Sequence, residues 1–176
     1  MTIQSEAAAG EMDFVHTRPG TVAGNYLRRF WQPVFVSAQL QTGYAVPIRI
    51  MGEDFTLYRG ASGTAYVVDF RCAHRGTQLS VGWVEQDCIR CFYHGWKYDG
   101  TGQCVEQPAE DEAFAKKVKI RSCATHEFLG LIFAYFGEGD APPFPNYPEL
   151  AEAGEIDVGS YIRHCNYFGT LENGID

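Results

Sequence analysis

The sequence lacks any long hydrophobic segment. Its longest apolar run, residues 128–136, is interrupted by Gly130, whereas a helix that crosses a bilayer needs about 20 consecutive apolar residues. The first residues also lack the basic region and apolar stretch of a secretion signal. We therefore expect a chain that does not enter a membrane and that stays in the cytoplasm.

Positive charge is also scarce. Lys and Arg number 14 against 22 Asp and Glu, which leaves a net charge of −8. Proteins that bind nucleic acid need a basic surface to contact the phosphates, so the charge argues against a nucleic-acid partner. With 45% hydrophobic residues, the 176-residue chain is suited to one globular domain and the start of a second.

The pattern of apolar residues divides the chain into three parts. Residues 1–40 are predicted to form a leader and a short helix, 25–31, whose aromatic side chains face the core. Residues 41–148 carry short alternating segments separated by glycine turns, which predicts a mostly β domain. Residues 149–176 follow a proline-rich stretch and are predicted to begin another domain.

Seven short strands are predicted within the β domain, and one further strand is predicted beyond it. These strands are 46–50, 55–59, 65–70, 88–92, 96–98, 117–121, 128–136 and 161–168. The segment 128–136 is apolar on both faces, which predicts an interior strand. Cysteines in or beside these segments are expected to be small buried hydrophobes, namely Cys88, Cys104, Cys123 and Cys165.

Two short motifs combine cysteine with histidine. Cys72 and His74 form C-x-H, Cys91 and His94 form C-x-x-H, and sixteen residues lie between the motifs. In a reducing cytoplasm, paired cysteines indicate a metal or redox site before a disulfide. Two thiolates and two imidazoles are the ligand set of a Rieske [2Fe–2S] cluster, in which two Cys hold one iron and two His hold the other.

A structural zinc site is the main alternative. Zinc sites are usually built from pairs of like ligands, Cys with Cys and His with His, whereas each motif here supplies one of each. Gly76 and Gly95 follow the motifs and would let the backbone approach the inorganic sulfides and donate hydrogen bonds. These features favour the iron–sulfur cluster, with zinc and chance spacing as the alternatives.

The residues around both motifs resemble a known family. The segments are Cys72-Ala-His74-Arg75-Gly76 and Cys91-Phe-Tyr-His94-Gly95-Trp96-Lys97-Tyr98-Asp99. They are similar to the Rieske domains of aromatic-ring-hydroxylating oxygenases, nearest to the phthalate dioxygenase and vanillate demethylase branch. Respiratory Rieske proteins add two cysteines, at positions held here by Thr77 and Tyr93, so that branch is disfavoured.

The resemblance implies a Rieske-type β-sandwich domain with one [2Fe–2S] cluster. The implied ligands are Cys72, His74, Cys91 and His94. The residues expected to surround and support the cluster are Arg75, Gly76, Tyr93, Gly95 and Trp96. Of these, Trp96 is expected to pack beneath the cluster and limit the access of solvent, and Arg75 to anchor its loop or face a partner subunit.

The resemblance also implies a role for the cluster as an electron store. In the family, electrons come from a flavin-containing or iron–sulfur reductase and pass to a mononuclear Fe(II) held by two His and one carboxylate. That iron activates O2 for dihydroxylation, monooxygenation or O-demethylation of an aromatic substrate. A homotrimer is expected by the same resemblance.

The last residues resemble the segment that opens the family's catalytic domain, which has α+β structure. Asn173 and Asp176 form N-x-x-D, and by this match Asp176 bridges the cluster of one subunit to the iron of the next through His94. The ligands of the catalytic iron that follow this Asp in the family are missing from the 176 residues. We therefore expect a truncated α subunit, with 149–176 as the edge of its second domain.

Two further functions stay open. A stand-alone Rieske ferredoxin would use the same cluster only to carry electrons, but it needs neither the N-terminal helix nor the proline-rich exit and the N-x-x-D segment. A zinc-stabilised binding module is the third hypothesis and requires a different metal.

Overall fold

The structure is a computed structural model that describes residues 13–110, 112–150 and 154–175, and these residues are mostly β. The strands are β1 (Trp31–Val36), β2 (Ala45–Ile50), β3 (Glu53–Arg59), β4 (Ala65–Asp69), β5 (Trp83–Glu85), β6 (Cys88–Arg90), β7 (Lys97–Tyr98), β8 (Cys104–Glu106), β9 (Ser122–Phe128) and β10 (Leu131–Tyr135). The helices are α1 (Val22–Leu27), α2 (Glu112–Ala115) and α3 (Tyr167–Glu172). Within the described ranges, no helix has the length and apolar composition that crossing a bilayer requires.

Six of the strands form one antiparallel sheet in the order β1-β10-β9-β4-β3-β2. Each of its edge strands contains a proline, Pro33 in β1 and Pro47 in β2. Because proline has no N–H to donate to a neighbouring strand, it is tolerated at an edge and discourages pairing with another chain. The two prolines therefore mark the two ends of this large sheet.

The other four strands form a small antiparallel sheet in the order β5-β6-β7-β8. Both Cys/His motifs lie next to this sheet. Cys72 and His74 lie in the connection from β4 to β5, and Cys91 and His94 lie in the turn between β6 and β7. A single bridge between Arg71 and Gln78 closes the base of the first connection.

The two sheets share a buried layer because β3 and β4 are covered on both faces. Successive side chains of a strand point to opposite faces, and Leu57 and Tyr58 in β3 are both fully buried. Tyr58 packs in a cluster with Ile89 of the small sheet. Leu57 packs in a second cluster with Ile132 and Ala134 of β10. The small sheet therefore rests on the centre of the large one, which gives the motif loops a fixed base.

A buried arginine connects β3 to the strand β9 and to the segment before β2. Arg59, only 9% exposed, pairs with Glu127 at 2.6 Å and donates at 2.9 Å to the carbonyl of Leu40. Its guanidinium also bonds the hydroxyl of Ser37 at 3.0 Å. The hydrogen bond from Arg59 lowers the pKa of Glu127. Every donor of this buried group therefore has a partner, as a desolvated charge requires.

The structure corrects the predicted N-terminal helix. A short helix is present, but α1 ends at Leu27, and Trp31, predicted to be helical, begins β1 instead. Tyr26 and Phe30 are 59% and 49% exposed, so the prediction that they lie in the core is wrong. Pairing of β1 with β10 overrides the helical spacing of the aromatic residues, because strand pairing depends on a distant partner.

Three predicted strands also need correction. Residues 117–121 form only one bridge, between Gln103 and Lys119. Residues 128–136 are the end of β9, a turn at Leu129 and Gly130 with positive φ, and β10, which is an interior strand as predicted. Residues 161–168 contain no strand, and α3 begins within them. Alternation in the sequence does not make a strand where no partner strand is available.

The other predicted strands coincide with β2, β3, β4, β6 and β7 to within two residues, whereas β1, β5, β8 and most of β9 were not predicted. Of the cysteines expected to be buried, Cys104 and Cys123 are, but Cys88 is only partly buried and Cys165 is exposed. The division into residues 1–40, 41–148 and 149–176 stays a prediction, and β1, which precedes residue 41, belongs to the large sheet.

Replacing Arg59 by Ala should destabilise the protein by about 3 kcal/mol, the lower end of the range for a broken buried ion pair, because Glu127 keeps some contact with water. Arg49→Ala is the matched control, since the Arg49–Asp54 pair is exposed and should contribute less than about 1 kcal/mol. Urea denaturation followed by circular dichroism measures both. Equal losses in the two variants would contradict the role given to Arg59.

Candidate metal centre

The two motifs lie in loops that share one pattern of backbone hydrogen bonds. We call residues 72–77 the first loop and residues 91–96 the second loop. In each, the N–H of a glycine donates to the carbonyl of the cysteine four residues earlier, at 2.9 Å from Gly76 to Cys72 and at 3.0 Å from Gly95 to Cys91. The N–H of each cysteine donates at 2.8 Å to the carbonyl of the residue that follows the glycine. Each loop is therefore a closed turn that begins at its cysteine.

Both glycines are required by the backbone of these turns. Gly76 and Gly95 have φ of 71° and 75°, in the left-handed region that residues with a side chain rarely adopt. A Cβ on Gly95 would also lie 2.9 Å from the Cγ atom of Pro108, whereas Gly76 faces open space. The second loop is thus held against the segment after β8 as well as by its own hydrogen bonds.

The cysteines and histidines among the four candidate ligands differ in how deeply they are buried. Cys72 and Cys91 are buried, at 3% and 1% exposure. His74 and His94 are exposed, and their ring centroids lie 4.6 Å apart. The structure therefore brings the thiols together beneath the imidazoles, as a cluster held by Cys on the inner side and His on the outer side requires.

Burial raises the pKa of the Cys72 thiol, and the adjacent Cys91 raises it further, although a hydrogen bond from Tyr98 acts in the opposite direction. Desolvation lowers the pKa of His94, and the nearby His74 and Arg75 lower it further. A lowered pKa favours the neutral imidazole, which is the form that binds metals. A positive centre such as iron would favour the thiolate of Cys72 in spite of its burial.

The placement of the donors distinguishes the two metals that were considered. A structural zinc needs four donors around a single ion. Across the described residues, no three His, Cys, Asp or Glu side chains are placed to hold one metal ion. A [2Fe–2S] cluster contains two irons, and each of them needs only two protein donors, so the two pairs of donors lie at opposite ends of the cluster. The grouping of the donors, two buried thiols beneath two exposed imidazoles, fits the cluster.

Aromatic rings cover both histidines. The indole of Trp96 is stacked on His74, with 4.7 Å between ring centroids and 6° between the planes. The ring of Tyr93 lies 3.8 Å from that of His94. Trp96 is buried, as the sequence led us to expect, and Tyr93 is 57% exposed. The predicted supporting residues of the second loop are therefore at the site, each against a different histidine.

Tyr98 is a site residue whose role the sequence analysis did not identify, although it is part of the motif. Its hydroxyl, fully buried in β7, lies 3.2 Å from the Cys72 sulfur and accepts a hydrogen bond from the Ala73 N–H at 3.2 Å. Accepting this bond leaves the hydroxyl its own proton, which it can donate toward the sulfur. The signal in the sequence was the position of Tyr98, two residues after the end of the second loop.

An ion-pair network lies behind the second loop. Arg90 donates at 2.8 Å to the carbonyl of Gly95 and pairs with Glu85 at 2.7 Å and Glu106 at 2.8 Å. The hydrogen bond from Arg90 lowers the pKa of Glu85 to about 2. Arg90 immediately precedes Cys91, so the network fixes the backbone where the loop begins and where it ends.

Arg75 is a predicted site residue that makes no such contact with the candidate ligands. Arg75 is exposed and points to no specific partner among the described residues beyond its charge effect on His94. Asp176 lies outside the described residues. Its bridging role and the ligand assignments stay predictions.

The comparison with protein families agrees with this geometry. The family model described as "Rieske [2Fe-2S] domain" matches residues 30–129, which include both loops, the small sheet and every strand of the large sheet except β10. The chain belongs to the Rieske [2Fe–2S] domain family. The expected cofactor type and mostly β fold are therefore confirmed.

Relatives of this Rieske chain are oxygenase subunits. It is 37% identical to the 5,5'-dehydrodivanillate O-demethylase oxygenase subunit of Sphingobium sp. over 90% of this chain and 39% of the relative. It is 35% identical to the phthalate 4,5-dioxygenase oxygenase subunit of Pseudomonas putida over 87% of this chain and 36% of the relative. The predicted resemblance to these two branches is thus confirmed, and the chain spans less than two fifths of either relative.

A solved structure shares the fold of this Rieske chain. It is the reduced complex between oxygenase and ferredoxin in carbazole 1,9a-dioxygenase, with 30% identity and a TM-score of 0.56. The match covers 66% of this chain and 30% of the other.

Replacing Tyr98 by Phe should lower the reduction potential of the cluster by roughly tens of millivolts, because a hydrogen bond to a ligand sulfur stabilises the more negative reduced state. Tyr58→Phe is the matched control, since this equally buried hydroxyl donates to the carbonyl of Asp87 instead. A redox titration followed by circular dichroism measures both variants. An unchanged potential in Tyr98→Phe would show that the hydroxyl does not act on the sulfur.

Proposed function

We propose that Cys72, His74, Cys91 and His94 hold the Rieske cluster, with the cysteines on the inner iron and the histidines on the outer iron. The observation that carries this assignment is the depth of the donors, two buried thiols beneath two exposed imidazoles. When bound, the cluster stores and passes on single electrons at a potential above that of plant-type ferredoxins. Gly76 and Gly95 close the loops around it, and Trp96 and Tyr93 cover the imidazoles.

We propose further that this domain serves a terminal oxygenase. The support is that two of its relatives are named as oxygenase subunits for 5,5'-dehydrodivanillate and phthalate and that this chain spans only part of their length. The whole protein would then pass electrons to a mononuclear Fe(II) held outside the described residues, for O2-dependent hydroxylation or O-demethylation of an aromatic compound. The exposed imidazoles would be the side from which electrons leave the domain.

The partners follow from the same proposal. The oxygenase–ferredoxin complex among the similar structures supports an electron donor that docks on the protein, either a ferredoxin or a flavin- and iron–sulfur-containing reductase. A homotrimer would let Asp176 of one subunit reach His94 of the next. We propose a cytoplasmic location, because cysteines that hold a metal cluster instead of forming disulfides are typical of a reducing compartment.

The structure of the segment before Asp176 supports the proposal that a second domain begins in this part of the chain. Asn166 caps α3 by accepting a hydrogen bond from Phe168 N–H at 2.9 Å, and the helix ends at Glu172, with Asn173 as its C-cap. Residues 154–166 have no regular structure and many exposed side chains, such as Tyr161 at 76% and Ile162 at 83%. We propose that this segment opens the catalytic domain and becomes covered there.

Replacing His74 or His94 by Ala should remove the cluster almost completely, because an iron with one of its protein donors missing is open to solvent. His126→Ala is the control, since this imidazole stacks on Phe144, away from the loops. Iron and acid-labile sulfide analysis with visible spectroscopy provides the measurement. A full spectrum in His94→Ala would rule out the proposed ligand set.

The oxygenase and the stand-alone carrier differ in iron content. A terminal oxygenase should hold three iron atoms per two sulfides, the cluster plus the mononuclear iron, whereas a ferredoxin should hold only the two cluster irons. Analysis of the natural protein, together with its coding sequence past the codon of Asp176, tests this. A histidine three residues after Asp176 and the third iron would support the oxygenase; their absence would support the carrier.

A further inference from the structure

The ring of Trp96 lies against a histidine of the other loop. Trp96 is in the second loop, but its indole is parallel to the imidazole of His74 in the first loop, with 6° between the planes and 4.7 Å between centroids. Trp96 is only 8% exposed, whereas His74 faces solvent. The buried ring therefore forms a flat surface under one face of an exposed candidate ligand.

Several contacts prevent the indole from turning. The carbonyl of Trp96 accepts a hydrogen bond from the N–H of Cys91 at 2.8 Å, so its backbone belongs to the closed turn. Its side chain packs in the buried cluster that contains Leu79 and Ile89. The edge of Phe114 meets it from another direction, with 76° between the planes. A ring enclosed on these sides keeps one orientation, because close-packed side chains stay in a single rotamer.

His94 has no equivalent support. The ring beside it belongs to the preceding residue, Tyr93, which is 57% exposed. Its interplanar angle with His94 is 35°, compared with 6° for Trp96 and His74. The two histidines therefore differ in how they are held, one by a buried ring of the other loop and one by an exposed neighbour.

We propose that Trp96 is a positioning residue that sets the plane of the His74 imidazole at the outer iron. The χ2 torsion of histidine, which turns the imidazole ring, is broad and has no strong preference of its own. A neighbouring surface can therefore select one orientation of the ring. A parallel aromatic stack provides that surface. The second loop thereby orients a ligand of the first. This inference rests on the proposed role of His74 as a ligand and adds the group that orients it.

The orientation of each imidazole can be measured in the cluster-loaded protein by pulsed electron paramagnetic resonance, which resolves the nitrogen hyperfine coupling of each histidine. Trp96→Leu keeps an apolar side chain but removes the flat ring. It should shift or broaden the coupling of His74 and leave that of His94 unchanged. Trp96→Phe restores a flat ring and should restore a narrow His74 coupling.

Two controls separate positioning from a general loss of packing. Leu57→Ala removes a fully buried side chain from the other cluster, which does not contain Trp96; it should lower the melting temperature and leave both couplings unchanged. Trp83→Leu makes the same substitution at a 56% exposed tryptophan and should change neither. If Trp96→Leu does not fold, Phe114→Ala is tested in its place, at a position that is 43% exposed. This substitution should loosen the indole of Trp96 and therefore broaden the His74 coupling.

The outcomes distinguish this inference from the proposal on which it rests. A His74 coupling that stays unchanged in both Trp96→Leu and Phe114→Ala, with the cluster fully loaded, would overturn the positioning role. Equal changes in the couplings of both histidines would also overturn it. If the native protein shows no histidine nitrogen coupling at all, the ligand assignment itself fails, whatever the variants show.

Discussion

Two buried thiols from separate loops meet beneath two exposed imidazoles, and the other features of the site serve that meeting. Cys72 and Cys91 are almost completely buried, and burial raises the pKa of the Cys72 thiol. A positive centre such as iron would favour the thiolate of Cys72. The fold of the loops and the binding of the cluster are therefore coupled.

The small sheet keeps the loops in place by two means. Its buried side chains, such as Ile89, pack against the face of β3 that carries Tyr58, so the loops start from a base anchored on the large sheet. Arg90 then connects the end of the second loop to two carboxylates through the carbonyl of Gly95. The charged network lies behind the loop, away from the imidazoles, and leaves the outer side of the site open to a partner.

Local patterns predicted the structure well where the chain interacts with its neighbours in sequence. The hairpins of β2, β3 and β4 alternate in sequence and pair with each other in the structure. The segments 117–121 and 161–168 alternate as well, but within the described part of the chain 117–121 makes only the bridge from Lys119 to Gln103, and 161–168 contains no strand and is largely exposed. Strand formation depends on hydrogen bonds to another strand, and that partner cannot be inferred from one segment alone.

The sequence by itself determined the ligand types, their spacing, the two glycines and the family to which they belong. Those properties depend on residue chemistry and on local backbone angles, such as the positive φ of Gly76 and Gly95. Only the tertiary structure decided that the cysteines are buried, that the hydroxyl of Tyr98 lies against the Cys72 sulfur and that Trp96 stacks on His74. The contacts of Tyr98 and Trp96 each join the first loop to residues that are more than twenty positions later in the sequence, so they depend on how the chain folds back on itself.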